Sequence, residues 1–338
     1  VPTTKKTTHS LRLKFSKTEH IISAFLEYYR SKGCQIMPGG SLIDAGIPMS
    51  FVMSAGFTQI ERCTTLAPEH ARDGFALLQN CFRHFDLDKV GRSSTHLSFF
   101  RMLGAFAFGE SEKAKQIRNV WKLALNVYKL TPDQLWVTYF SGDTINGNVF
   151  DTDLETRDLW MESGVDPDHL VGLDGGTNFW HQNPLAAGRG HESKCGPTSE
   201  IFFDKGAHLK CSSECRPGCS CGRFIEFLNM LFISWQFDSF TGIISRLKDP
   251  FIETVIGVER LAMVMQDAPS IFEIDSIQPL FKIIDQSPRV CELSEQEYTQ
   301  YERIVVDHLR ALVFLVADGA PAPNKGGRAF IMRRLVRE

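Results

Sequence analysis

Apolar residues recur at helical spacing in several stretches of the chain. Between Glu19 and Ser31 the apolar positions fall three or four residues apart, and Gly33 then supplies a stop, so this stretch predicts an opening helix. The segment Lys113 to Tyr128 repeats this periodicity. Further helices are predicted at Val258–Gln266, Ile304–Val316 and Arg328–Arg337.

Shorter apolar runs predict strands. Leu77–Phe82 and Leu135–Phe140 are typical of buried strands, and Pro250–Gly257 predicts another. Phe224–Phe237 is apolar almost throughout, which is typical of a central strand buried on both faces. Strands interleaved with helices, followed by helices alone after Asp275, predict an α+β domain and then a helical one.

The change of pattern places a domain boundary near residue 270. We expect a lead-in at residues 1–17, an α+β domain at 18–270 with a cysteine-rich insertion near 205–222, and the start of a helical domain at 271–338. The lead-in is rich in Thr, Lys and His, and its composition predicts disorder.

Composition and charge exclude some classes of function. With 43% hydrophobic and 23% charged residues, the 338-residue chain is typical of a globular protein. Its longest apolar runs, such as Ala311–Ala317, are too short to cross a bilayer, so we expect a cytoplasmic protein without a membrane partner. A formal net charge of −3 argues against nucleic-acid binding through bulk charge, so any RNA contact must be local. The arginines of the last predicted helix could provide that contact or form a solvated helix face: Arg328, Arg333, Arg334 and Arg337.

Four of the nine cysteines lie within eleven residues. In a reducing compartment, thiols this close favour a metal over disulfides, and thiolates are strong zinc ligands. Their clustering predicts a structural zinc site, although the spacing is not the common pair of C-x2-C motifs. His208 is a substitute ligand if one cysteine does not reach, and the alternative is a reduced cysteine-rich loop. The four are Cys211, Cys215, Cys219 and Cys221.

Two arginines stand next to predicted buried elements. Arg83 ends the strand that contains Phe82, and Arg260 begins the helix after Gly257, so rigid elements could project both side chains into one cleft. Guanidinium groups bind phosphate oxygens with charge-assisted hydrogen bonds. Taken alone, each arginine is more typical of a surface ion pair than of a phosphate-binding site.

The segment 90–109, with the sequence VGRSSTHLSFFRMLGAFAFG, closely resembles the signature of alanyl-tRNA synthetases. Further segments resemble that family in the same order along the chain, and the resemblance extends from about residue 18 onwards. These segments are Ser54–Phe57, Asn178–Trp180, Cys195–Asp204, Glu226–Asn229, Glu253–Arg260 and Asp307–Arg334.

The resemblance implies a class II aminoacyl-tRNA synthetase fold, in which an antiparallel sheet flanked by helices binds ATP. It implies ATP-dependent activation of alanine or a similar small amino acid and transfer to tRNA, with Mg²⁺ accompanying ATP, and a homodimer is possible. By position, Arg83 corresponds to the arginine at the α-phosphate, Arg260 to the one at the ATP tail, and Phe100 to the residue stacked on adenine. The implied amino-acid pocket is Phe57, Trp180, Asn229 and Glu253, and the implied tRNA contacts are Asn324, Arg333 and Arg334.

The chain departs from the family pattern around the pocket. The loop after Arg83 is four residues shorter, Glu253 and Phe57 replace an aspartate and a methionine, and Arg101 replaces a glutamate expected beside the ATP site. These departures leave open two alternatives. One is a paralogue that passes the activated acyl group to a small molecule or protein, and the other is a non-catalytic descendant that binds tRNA.

Overall fold

Nine strands form one mixed sheet at the centre of the protein, whose computed structural model describes residues 17–44, 49–54, 74–182, 192–284 and 293–338. The strands are β1 Gln35–Met37, β2 Phe75–Phe82, β3 Phe99–Phe108, β4 Leu135–Phe140, β5 Asp143–Ile145, β6 Asn148–Phe150, β7 Leu170–Leu173, β8 Phe179–His181, β9 Glu192–Asp204, β10 Phe224–Asp238 and β11 Ile244–Gly257. Their order in the sheet is β1-β2-β3-β11-β10-β9-β4-β7, and β8 pairs with β9. β5 and β6 form a separate hairpin.

The sheet is antiparallel except at its two ends, where β1 pairs parallel with β2 and β4 pairs parallel with β7. The helices are α1 Thr18–Ser31, α2 Lys113–Lys122, α3 Leu154–Glu162, α4 Gly175–Asn178, α5 Val258–Met265, α6 Gln278–Ile284, α7 Glu295–Ala317 and α8 Gly327–Arg337. A π-helical turn at Leu123–Val127 continues α2, so the segment predicted as one helix changes its hydrogen-bonding pattern before Tyr128.

The two faces of the sheet have different neighbours because successive strand side chains alternate between them. On one face, α1, α2 and α5 cover the principal core, in which Phe25, Ile117 and Leu261 pack with Leu103 of β3 and Leu228 of β10. The opposite face carries a smaller apolar cluster and the open cleft described below.

One glycine is required where β9 lies against β10. A Cβ atom on Gly196 would lie 2.0 Å from the carbonyl oxygen of Phe232, so only glycine permits this close approach. It coincides with an irregularity in the β9–β10 register, between the pairs of Leu231 and Trp235. Gly196 also pairs with Trp180 of β8, so the close approach helps to position that indole.

The last two helices pack on a different part of the molecule. Ala311 and Leu315 of α7 and Ile331 of α8 join Phe82 and Phe99 in a separate apolar cluster. Side chains from Ile271 to Ile277 belong instead to the principal core. The α+β class with a flanked, mainly antiparallel sheet and helical C-terminal part is confirmed, whereas the division near residue 270 stays a prediction.

Candidate active site

A cleft of about 340 Å³ opens on the face of the sheet that the helices leave uncovered. Six of the predicted site residues line it: Arg83, Phe100, Trp180, Asn229, Glu253 and Arg260. They come from β3, β8, β10, β11, the residue after β2 and the start of α5. Residues far apart in sequence are thus brought together on rigid elements. The cleft is also lined by Asp86, His96, Met102, Glu200, Glu226, Leu231 and Val255.

Arg83 and Phe100 are in direct contact at one end of the cleft. The guanidinium carbon of Arg83 lies 4.9 Å from the centre of the Phe100 ring, a cation–π contact. Arg83 Nε donates to the carbonyl oxygen of Met53 at 3.0 Å, which fixes the side chain. The remaining guanidinium nitrogens of a half-buried arginine held in this way suit an anionic ligand.

Arg260 lies in the first turn of α5 and is held by β10. Its Nη1 donates to the Glu226 carboxylate at 3.0 Å and to the Glu226 carbonyl at 3.2 Å. Its Nε donates to the carbonyl oxygen of Thr95 at 3.3 Å. The pair is partly exposed to the cleft, with 27% of the Arg260 side chain and 35% of the Glu226 side chain accessible. A ligand anion can therefore reach Arg260 without unfolding its surroundings.

The floor of the cleft presents acceptor oxygens rather than cations. Asn229 Nδ2 donates to Glu200 Oε1 at 3.0 Å, whereas Asn229 Oδ1 and Glu253 Oε1 are buried and accept no hydrogen bond from the described residues. Asn229 of β10 pairs in register with Val255 of β11, and Glu253 lies two residues before Val255 on β11. The side chains of Asn229 and Glu253 therefore project from the same face of the sheet. Buried acceptors without donors are costly, so this arrangement suits a ligand that brings donors.

Burial shifts the titration of the carboxyl groups on this floor. Desolvation raises the pKa of Glu253, which is 2% exposed, to about 8. Burial and then the nearby Glu226 carboxylate raise the pKa of Glu200 well above its usual range, and Arg260 opposes that shift. Burial and then Arg260 lower the pKa of His96, which favours its neutral form.

Two sequence predictions about this site have different outcomes. Phe57 lies outside the described residues. The position of Arg101 beside the nucleotide stays a prediction, but Arg101 itself does not line the cleft, because Phe100 and Met102 line it and the residue between them faces the opposite side of the sheet. There Arg101 Nε pairs with Glu259 at 3.2 Å and its Nη1 pairs with Glu19 at 3.0 Å.

The four clustered cysteines meet in the connection between β9 and β10. Their sulfur atoms all lie within 4.8 Å of one another, with Cys211 and Cys219 at 3.2 Å and Cys215 and Cys221 at 3.7 Å. Zinc–sulfur bonds of about 2.3 Å in a tetrahedron place sulfurs about 3.8 Å apart, so the four thiols fit a zinc ion. When bound, zinc would cross-link this connection. The predicted substitute His208 is not part of the sulfur group.

The predicted tRNA contacts lie in and before α8. Asn324 is exposed and accepts a hydrogen bond from the Lys325 backbone. Arg334 pairs with Glu338 at 2.8 Å and with Asp88 at 3.1 Å, and Arg333 is half-buried on the same helix. Arg328 does not belong to an open basic face, because its guanidinium donates to the carbonyl oxygens of Ser50 and Asp44.

Sequence reasoning named neither Glu200 nor Glu259 as a site residue. Glu200 lies in the segment Cys195–Asp204, but only the strand register brings it opposite Asn229. Glu259 immediately precedes Arg260 and is 1% exposed. A glutamate so close to a candidate phosphate-binding arginine was the available signal.

Within the described parts of the chain, no helix has the length and apolar character needed to cross a membrane.

A family model described as tRNA synthetases class II (A) matches residues 20–338. Among curated proteins, the alanine–tRNA ligase of Caldicellulosiruptor saccharolyticus is 33% identical over 331 residues, which cover 96% of this chain and 35% of that protein. The alanine–tRNA ligase of Leptospira biflexa is 31% identical over 332 residues, covering 96% and 34%. The chain thus spans about a third of the length of these relatives.

Among solved structures, the apo histidyl-tRNA synthetase of S. aureus aligns with a TM-score of 0.40 and 12% identity, covering 89% of this chain and 77% of that one. So remote a likeness adds nothing to the family match.

Proposed function

The chain belongs to the family of class II (A) tRNA synthetases, and from this premise we propose that it activates an amino acid with ATP and transfers it to tRNA. In the first step a carboxylate oxygen of the amino acid attacks the α-phosphorus of ATP, and pyrophosphate leaves. In the second step a hydroxyl of the tRNA attacks the carbonyl carbon of the adenylate, and AMP leaves. The names of the alanine–tRNA ligases support alanine or a similar small amino acid as the substrate.

One observation carries this proposal: the same cleft presents cations at one part and unpaired acceptors at another. Arg83 and Arg260 suit the phosphates of ATP. Asn229 Oδ1 and Glu253 Oε1, buried without donors from the described residues, suit an ammonium group, which is donor-only. An amino acid and ATP bound side by side would satisfy both parts, with the carboxylate of the amino acid nearest the α-phosphate.

This arrangement supports the residue roles that the family resemblance implies. Arg83 would contact the α-phosphate while Phe100, which the guanidinium overlies, stacks on adenine. Arg260 would contact the outer phosphates once they compete with Glu226 for its Nη1. Trp180 would form one wall of the part of the cleft that binds the amino acid.

Magnesium would accompany ATP, because the triphosphate carries charge that an arginine pair does not fully neutralise. Mg²⁺ prefers phosphate oxygens plus one or two carboxylates. The Glu226 carboxylate, which is partly exposed to the cleft beside Arg260, fits that requirement. A bound ion would supply charge neutralisation for the departing pyrophosphate.

For the acceptor, we propose tRNA, with Asn324, Arg333 and Arg334 contributing contacts from the α8 region. The ion pairs of Arg334 with Asp88 and Glu338 are exposed. Such pairs are weak and can exchange for phosphate oxygens at little cost.

Amino-acid-dependent exchange of pyrophosphate into ATP tests the first step across all the protein amino acids. We expect exchange with a small amino acid and a loss of about 100-fold or more in Arg83→Ala, on the scale of one lost transition-state contact. Arg157→Ala, which removes an exposed arginine paired with Asp158, is the matched control. No exchange with any amino acid would refute the proposed activity, and normal exchange by Arg83→Ala would refute the role of that residue.

A charging assay with tRNA from the same organism tests the second step. We expect radiolabelled amino acid to become attached to tRNA. Exchange activity without charging of any tRNA would instead favour the paralogue that transfers the acyl group to another acceptor.

A further inference from the structure

Glu200 is a buried carboxyl group in the cleft for which the proposed reaction has no direct use. It lies on β9, is 7% exposed and has Asn229 of β10 as its register partner. Directly opposed residues on antiparallel strands place their side chains on the same face and in contact. The Asn229 Nδ2 to Glu200 Oε1 hydrogen bond of 3.0 Å is that contact.

The contact determines which end of the Asn229 amide faces the ligand. A side-chain amide has a donor end and an acceptor end of nearly the same shape, so its orientation is decided by its hydrogen-bond partners. In the structure Glu200 takes the donor end, since Asn229 Nδ2 donates to Glu200 Oε1, and the unprotonated oxygen of a carboxyl group can accept this hydrogen bond in either protonation state of the group. The acceptor, Asn229 Oδ1, is left buried and without a donor from the described residues.

We propose that Glu200 is a positioning residue, which fixes the Asn229 amide so that its Oδ1 accepts a hydrogen bond from the amino group of the substrate. The inference rests on the proposed function and deepens it, because it assigns the recognition of the amine to a pair of residues rather than to one. Without Glu200 the amide can turn over and present Nδ2 to the substrate. Nδ2 is a hydrogen-bond donor, and an ammonium group has no acceptor for it.

The backbone around Glu200 keeps this carboxyl group in place. The Glu200 amide donates to Thr138 Oγ1 at 3.2 Å, and the neighbouring Ser199 Oγ donates to the Thr138 carbonyl at 2.6 Å. Trp160 Nε1 in turn donates to Ser199 Oγ at 2.8 Å. Glu200 therefore stands on a fixed stretch of β9, as a positioning residue requires.

A double-mutant cycle on pyrophosphate exchange tests the inference, with the KM for the amino acid and the KM for ATP as separate readouts. In Glu200→Leu, which has no acceptor, we expect the amino-acid KM to rise about 10- to 100-fold, the value of one hydrogen bond to a charged group, with the ATP KM unchanged. Glu200→Gln, which keeps one acceptor oxygen, should show a smaller rise. In an Asn229→Ala background, Glu200→Leu should have no further effect on the amino-acid KM.

The outcomes separate the inference from the function on which it rests. An unchanged ATP KM also shows that the variants are folded. If Glu200→Leu and Glu200→Gln both leave the amino-acid KM unchanged, or raise the ATP KM equally, or if their effects persist in Asn229→Ala, the inference is overturned while the activity stands. Absence of exchange in the unmodified protein overturns both.

Discussion

Glu259 lines the cleft and joins four separate elements, and its removal tests how the fold is held together. It lies in α5, and its Oε1 accepts from Arg101 Nε of β3 at 3.2 Å and from Arg310 Nη2 of α7 at 3.1 Å. Its Oε2 accepts from the Arg101 backbone at 2.9 Å. Arg101 extends the network to Glu19 of α1 at 3.0 Å.

Replacing Glu259 with Gln keeps the shape and removes the charge. The side chains of Glu259, Arg101 and Arg310 are 1%, 15% and 11% exposed, so two cations lose their partner in a poorly solvated place. Loss of one partner from a buried ion pair costs about 3–5 kcal/mol, and we expect the lower end because Arg101 keeps Glu19. With a urea dependence of about 3 kcal/mol/M, the unfolding midpoint should fall by about 1 M.

Urea unfolding followed by circular dichroism measures this shift. Asp158→Asn is the control, because it breaks the exposed pair with Arg157 and should change stability by less than about 0.5 kcal/mol. Equal midpoints for Glu259→Gln and the control would refute the view that this network holds the elements together.

Two further predictions concern the cleft floor and the cysteine group. The pKa of Glu253 is raised to about 8, so the folded protein binds more protons than the unfolded chain between pH 4.5 and 8. The free energy of unfolding, measured relative to Glu253→Gln, should therefore fall as pH rises through that window. The scale of the fall is about 1.4 kcal/mol per pKa unit. Urea midpoints measured from pH 5 to 9 check this, and a constant difference would contradict it. Elemental analysis of protein purified without chelator should find about one zinc per chain, reduced in Cys221→Ser but not in Cys34→Ser, which lies outside the sulfur group. Zinc-free unmodified protein would contradict the assignment.

Most long helices and strands could be predicted, because the spacing of apolar residues shows which side of the element packs against a neighbouring layer. The opening helix and β10 are examples, predicted at Glu19–Ser31 and Phe224–Phe237 and found at Thr18–Ser31 and Phe224–Asp238. The parallel strands β1 and β7 have only 3 and 4 residues, too few for any periodicity. Their pairing is decided by non-local contacts that the local sequence does not record.

One missed boundary did carry a local signal. The helix predicted to begin at Ile304 begins at Glu295, and its first two turns are too polar to show an apolar face. Ser294 and Glu297 form a capping box there, the Ser-x-x-Glu pattern typical of a helix N-terminus. Apolar periodicity detects only the buried part of a helix, whereas capping residues mark its true beginning.

The candidate site, like the fold, has residues that the local sequence predicts and residues that only non-local contacts bring together. Arginines next to apolar elements could be predicted, but the Glu200–Asn229 pair joins residues 29 positions apart and depends on a strand register. That Arg101 does not line the cleft could also have been predicted, because placing Phe100 in the cleft already assigns the next strand residue to the opposite face.

The helical C-terminal part contacts the segments that carry the nucleotide end of the cleft. Asp307 of α7 accepts from the Ser98 backbone at 2.9 Å, and Arg310 Nη1 donates to the Phe99 carbonyl at 3.1 Å. Both contacts hold the entry of β3, directly before Phe100. Arg310 also pairs with Glu259, directly before Arg260. The side chains of Phe100 and Arg260, which are proposed to contact ATP, are thus each one residue away from a contact with α7.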